Sequence, residues 1–258
     1  MVSNKEWPAE DYAIGSYIQA TVALRYLNQL TIQSQDGVLD IGCGDGSFSL
    51  KILEKFPMAS FIGLDASENM LILARKNAKS FPQAQFIKGD ITEMTFSERF
   101  NYVVSFWCLQ WTHNILLAFQ NIFDALKPGG KLLTIFPTGD DAFMTTFLEV
   151  KKSRQFPELE TFVSPVNYKQ LEDLGDQLEP LPFRTLKVER HHQSLTLPSL
   201  DTFRKFVRGV SFYQGQISPD IIPQIQEAMV NVFAEESKKK YQGELRFEFS
   251  NYCVTGEK

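Results

Sequence analysis

Three acidic residues stand where short apolar runs end, and each is placed to do chemistry. Asp40 opens the pattern Asp40-Ile41-Gly42-Cys43-Gly44-Asp45-Gly46, which is acidic-x-Gly-x-Gly-x-Gly. Gly42 and Gly44 carry no Cβ, so the backbone can turn tightly and come close to a ligand. A helix opening at Ser47 then offers free N–H groups to that ligand. Asp65 closes the next run, Ala59 to Asp65. A carboxylate about 20 residues past a glycine turn can accept hydrogen bonds from both hydroxyls of a ribose. Asp90 follows a third run in Gly89-Asp90-Ile91. Each has a plainer reading: a tight turn, a helix cap at Asp65, a Gly-Asp turn at Asp90. The spacing excludes a dinucleotide fingerprint, because G-x-G-x-x-G needs a glycine where Ser47 stands.

These residues need a scaffold of alternating strands and helices. Gly37–Ile41, Ala59–Asp65, Ala84–Lys88, Phe100–Phe106 and Leu132–Phe136 read as buried strands. Helices are expected from Ser47, from Ser67 as an N-cap, and over Ile115 to Leu126, ended by Leu126-Lys127-Pro128-Gly129-Gly130. Ahead of the first strand, Tyr12 to Leu30 is helical, with Ile14, Tyr17, Thr21, Leu24 and Leu27 as its apolar face. Tyr12, Ser16, Gln19 and Ala23 form a second, small and polar stripe. After the fifth strand, helices are expected over Thr138–Arg154, Asn167–Leu178, Ser199–Val210 and a stretch begun by Ser218-Pro219-Asp220. Two further strands, Thr185–Arg190 and Leu245–Val254, complete the sheet. The fold class is α/β: a doubly wound, mostly parallel, seven-stranded sheet with a helical cap inserted late in the chain. One domain spans 1–258, with a core at 36–137, an N-terminal helix in 1–35 and a cap at roughly 138–240.

The glycine turn, Asp65, Asp90 and the Leu-Lys-Pro-Gly-Gly stretch resemble, in order over about 100 residues, the class I S-adenosylmethionine (SAM) methyltransferases. Leu64-Asp65-Ala66-Ser67-Glu68-Asn69-Met70-Leu71 is similar to the D-x-S-x-x-M-L form of that class. The resemblance implies SAM as cofactor. It places Asp40, Gly42 and Gly44 along its amino-acid end, Asp65 on its ribose, and Asp90 and Ile91 on its adenine. Ala66, Met70 and Ser105 join them as cofactor-side positions. The stretch from Ser105 through Trp111 to Leu133 is similar to juvenile hormone acid, trans-aconitate and malonyl-carrier-protein methyltransferases, all of which esterify carboxylates. In the hormone-acid family the residues at the places of Gln19 and Trp111 hold the substrate carboxylate. The implied activity is methyl transfer to the carboxylate of a small apolar or dicarboxylic acid. An N-methyltransferase, a malonyl-carrier-protein methyltransferase and a catalytically silent SAM-binding interaction protein remain as alternatives.

Composition narrows the classes. The 258 residues are 43% hydrophobic and include 22 phenylalanines, enough for a core and an apolar pocket. A net charge of −5 disfavours nucleic acid as a partner. Three cysteines, Cys43, Cys108 and Cys253, lack metal spacing and fit free thiols in a reducing compartment. His113, His191 and His192 show no ligand spacing, so neither a metal nor a histidine base is expected. No signal peptide or membrane-spanning run is read. A cytoplasmic enzyme, monomeric or weakly dimeric and without a membrane partner, is the expectation.

Overall fold

The computed structural model describes residues 6–7, 17–213 and 215–258. Seven strands form one sheet: β1 (Gly37–Ile41), β2 (Ser60–Asp65), β3 (Ala84–Lys88), β4 (Phe100–Phe106), β5 (Leu126–Pro137), β6 (Thr185–Thr196) and β7 (Arg246–Glu257). Their order is β3-β2-β1-β4-β5-β7-β6. β7 runs antiparallel between β5 and β6. β1 is buried at every position. It is paired on both edges, to β2 and β4, and covered on both faces, which is why it reads as one apolar run. The chain reverses its winding at β1 and β4, and the cleft beyond their carboxyl ends is where such sheets bind ligands.

Eight helices are used below: α1 (Tyr17–Tyr26), α2 (Ser47–Lys55), α3 (Glu68–Asn77), α4 (Ile115–Ala125), α5 (Ala142–Lys152), α6 (Leu174–Leu178), α7 (Leu200–Gly209) and α8 (Ile222–Tyr241). One face of the sheet packs with α4 and α6 through Phe119, Ile122, Leu174 and Leu178. The other carries a larger core in which residues of α1, α5, α7 and α8 gather. Much of it is aromatic. Phe203 of α7 stacks on Phe233 of α8 at 4.1 Å, and Phe147 of α5 meets Phe212 at 5.0 Å. Burying such rings contributes about 1.5–3 kcal/mol each.

The structure corrects several expectations. α1 packs through Ile18, Val22 and Tyr26, while Leu24 is exposed, so the expected apolar face is rotated. Tyr12, Ile14 and Ser16 lie outside the described residues, as does the side chain of Tyr17. Helix α5 begins only after Asp141, which caps it by accepting from Met144 N at 2.8 Å. Pro137 and Gly139 (φ +92) keep the preceding segment out of the helix. The helix expected over Asn167–Leu178 is a 3₁₀ turn at Tyr168–Leu171 followed by α6. Asp173, at φ +52, separates the two. The Leu-Lys-Pro-Gly-Gly stretch already belongs to β5, because α4 stops at Ala125. β6 and β7 pair over all twelve residues of each, further than the apolar pattern suggests. Among the described residues no helix is long and apolar enough to cross a membrane.

Candidate active site

Beyond β1 and β4 lies a cavity of about 290 Å³, joined at Gln19, Gly42, Phe106 and Trp107 by a smaller one of about 50 Å³. The glycine turn forms the floor between them. Gly42 N and Cys43 N both donate to Leu64 O, at 2.7 and 3.1 Å, which ties the turn to β2. Gly42 has φ +72, and a Cβ there would lie 2.3 Å from Cβ and Sγ of Cys108. The turn therefore needs glycine twice over, for its dihedral and for the close approach of the β4 loop. Gly44 N donates to Asp65 Oδ2 at 2.9 Å.

Asp65 sits at the cavity wall. Its Oδ1 accepts from Ser67 N at 2.9 Å, so each oxygen keeps acceptor capacity for a ligand hydroxyl. Burial pushes its carboxyl above the ordinary range. Ala66 and Met70 line the same wall, and Ser67 caps α3 through Met70 N at 3.3 Å. Asp90 and Ile91, just past β3, also line the cavity. Asp90 Oδ1 accepts from the amide and hydroxyl of Thr92 at 2.8 and 2.7 Å.

Asp40 faces the smaller cavity. It is 2% exposed and accepts from Ser49 Oγ at 2.6 Å. Burial raises its carboxyl to about 7; the Ser49 bond opposes this and the charge of Asp65 adds to it. Ser105 stands differently from its expected place. It is fully buried below the cleft and spends its hydroxyl on Ile41 O at 2.8 Å, bracing β4 against β1. In the loop after β4, Cys108 reaches the cavity.

The structure brings Gln19 and Trp111 to one cavity. The link is Trp107, which ends β4 at φ +61, donates its amide to Ile135 O at 2.9 Å and its indole N–H to Gln19 O at 2.9 Å. A non-glycine residue at positive φ costs about 1–3 kcal/mol, and these bonds hold it there. α1 is thereby fastened to the β4 loop. Trp111 sits in the turn Leu109–Trp111, half-buried, with Trp7 edge-on at 5.0 Å.

Sequence reasoning missed the residues that depend on distant contacts. Glu6 accepts from Ser67 Oγ (2.9 Å), Glu68 N (3.2 Å) and Asn69 N (3.0 Å) at the start of α3, and its carboxyl is held near 2, chiefly by the Asn69 bond. Trp7, next to it, lines the cavity. Together they strap α3 to Trp111. Gln110, Asp141, Tyr168, Phe143, Phe206 and Phe247 line the same cavity. Only the phenylalanine count hinted at this chamber. Burial raises Asp141 to about 6 and lifts the Tyr168 phenol above its ordinary value, so the phenol stays neutral. Among the described residues no Lys or Arg lines the cavity, whereas Asp65, Asp90 and Asp141 do.

Comparisons with known proteins find a family match, similar sequences and similar folds. Residues 38–130 match the family described as "Methyltransferase domain". The chain is similar to a malonyl-[acyl-carrier protein] O-methyltransferase of Priestia megaterium, 28% identical over 70% of each chain. It is similar to a juvenile hormone acid O-methyltransferase of Bombyx mori, 27% identical over 88% of this chain and 86% of that one. Several curated relatives are matched over 46% to 70% of their own length. The fold resembles the YcgJ protein of Bacillus subtilis, with a TM-score of 0.61, 16% identity, and 94% and 98% of the two chains covered.

Proposed function

We propose, from the premise that this chain is a class I SAM-dependent methyltransferase, that it esterifies the single carboxylate of a small apolar acid. The observation that carries the reading is the joining of Gln19 and Trp111 at one aromatic cavity beside the glycine turn. Both are neutral donors. They can orient a carboxylate without the salt bridge that would drain its nucleophilicity. Relatives named for a carrier-bound malonyl group, an insect hormone acid and trans-aconitate act on acids by those names, and this supports the same bond type.

The residues present fit the cofactor. Gly42 and Gly44 leave room along its tail, Asp40 faces the smaller cavity, Asp65 offers two acceptors, and the cavity is rich in carboxylates that favour a cation. When bound, SAM supplies a methyl group on a positive sulfur. No base is needed, because a carboxylic acid with a pKa near 4 is already an anion at neutral pH. The protein's work is alignment and exclusion of water. Orientation contributes roughly 7–11 kcal/mol to such a transfer. Trp107 and Phe106, facing the cavity, add a cation–π attraction of roughly 0.5–2 kcal/mol. The walls Phe143, Phe206 and Phe247 suit an apolar tail. A second carboxylate would meet Asp141 and no Lys or Arg among the described residues, which favours a monocarboxylic over a dicarboxylic or malonyl acceptor.

Trp111→Phe tests the reading. It keeps the ring against Trp7 and deletes the donor. Turnover should fall about tenfold or more, the weight of a hydrogen bond to a charged group, while SAM affinity holds. Full activity would assign Trp111 to packing.

A further inference from the structure

One end of α1 is fastened by Trp107, whose indole N–H donates to Gln19 O. The other end is fastened at Tyr26, two helical turns and about 10 Å further along the same face. His191 and Asn251 stand opposite each other in the β6–β7 pairing, and Gln193 follows His191 by two residues. Alternation therefore puts all three side chains on one face of the sheet. Tyr26 lies on that face, its ring stacked on the His191 ring at 5.8 Å. Tyr26 and Gln193 are buried, and Asn251 is fully so.

The neighbours of the Tyr26 hydroxyl fix its donor and acceptor roles. Arg25 carries only donors, so the Gln193 oxygen faces it. Gln193 Nε2 then points to the Tyr26 hydroxyl at 3.2 Å and to Asn251 Oδ1 at 3.0 Å. The carbonyl of Tyr252 takes only donors, so Asn251 Nδ2 faces it, and the same amide reaches the Tyr26 hydroxyl at 3.1 Å. Two incoming donors fill the acceptor sites of that hydroxyl. Its own proton goes to His191 Nδ1 at 2.8 Å, since the alternative, Asn251 Oδ1, is 3.4 Å away and already engaged. His191 is therefore neutral, with its proton on Nε2. Burial raises the Tyr26 phenol above its ordinary value, which agrees with a hydroxyl that stays protonated.

We propose that Tyr26 is a positioning residue: its hydroxyl, gripped by His191, Gln193 and Asn251, sets the seat of α1 on the sheet and thereby the place of Gln19 at the cavity. The role of Gln19 rests on the carboxylate reading above. Tyr26→Phe deletes the grip without stranding a buried amide. Gln193 Nε2 keeps Asn251 Oδ1, and Asn251 Nδ2 keeps Tyr252 O, so the variant should fold. Apart from the bond between the exposed Arg25 and Gln193, it loses the polar hold of β6 and β7 on that end of α1.

Two measurements test this. Ring nitrogen NMR spectra at about pH 7.5, with His191 assigned through His191→Asn, should show a proton on Nε2 and a bare, hydrogen-bonded Nδ1. Tyr26→Phe should shift the Nδ1 signal. A proton on Nδ1 in the wild type, or an unmoved signal in the variant, overturns the proposal. The second is a double-mutant cycle of Tyr26→Phe and Gln19→Ala, read as kcat/KM for dodecanoic acid at saturating methyl-labelled SAM. Tyr26→Phe should lower it about fivefold alone, the weight of one neutral hydrogen bond, and less than about twofold once Gln19 is alanine. A role in general packing would lower both backgrounds equally. That result, or no loss in either, overturns the proposal. Label on dodecylamine with none on dodecanoic acid would instead refute the carboxylate reading; the cycle is then read on the amine, where the same non-additivity is expected.

Discussion

Raising the pH from 6 to 8 should tighten SAM binding about tenfold in the wild type and leave an Asp40→Asn variant unmoved. Asp40 is enclosed by β1, α2 and the floor of the smaller cavity, and burial lifts its carboxyl from 3.8 to about 7. A cationic ligand favours the ionised form, so binding and deprotonation are linked. At pH 6 about one Asp40 in eleven is ionised, and at pH 8 about ten in eleven. The ratio is about ten, or about 1.4 kcal/mol. Calorimetry at the two pH values, in buffers of different ionisation enthalpy, reads both the affinity and the protons released. The sign for stability is opposite. The folded chain keeps a proton that the unfolded chain gives up, so stability falls as pH rises from about 4 to about 7. Asp40→Asn removes that loss, at most about 4 kcal/mol for a shift from 3.8 to about 7. The variant should be more heat-stable than wild type at pH 8 and bind SAM more weakly. An affinity that does not change between pH 6 and 8 in the wild type, or that changes equally in the variant, would refute the linkage.

Three further outcomes are expected. Asp65→Ala removes the acceptors of Gly44 N and Ser67 N together with the proposed ribose contact, and should raise the SAM dissociation constant at least tenfold by calorimetry. Gly42→Ala places a methyl group 2.3 Å from Cys108 at φ +72, and should lower the melting temperature and abolish SAM binding together; wild-type values would mean that the β4 loop moves aside freely. Glu6→Gln weakens the grip of the strap on α3 without touching the cavity walls. It should speed release of S-adenosylhomocysteine in stopped-flow tryptophan fluorescence, since Trp7 and Trp111 are in contact.

The central strands were legible because a parallel strand covered on both faces carries one unbroken apolar run. Gly37–Ile41 and Phe100–Phe106 end where the apolar run meets a glycine or the Trp107 turn. The acidic residues at strand ends were legible for the same reason. The face of α1 was not, because Leu24 looks like a core residue and only contact with the β6–β7 side decides that Tyr26 is buried instead. Residues 138–178 are less legible because Gly139 and Asp173 take positive φ, which interrupts a helical pattern that residue spacing alone does not mark. Ser105 reads in the sequence as a cofactor-side position, and only the structure reveals that its hydroxyl donates to Ile41 O. Glu6 and Trp7 owe their roles to partners that composition and spacing do not reveal.

The most direct measurement of the central claim is a panel of apolar monocarboxylic acids, dicarboxylic acids and amines incubated with methyl-labelled SAM. The account predicts label in base-labile methyl esters of the apolar monocarboxylic acids, with dicarboxylic acids poorer. Label confined to amines, or no label on any acid by a protein that binds SAM, would contradict it.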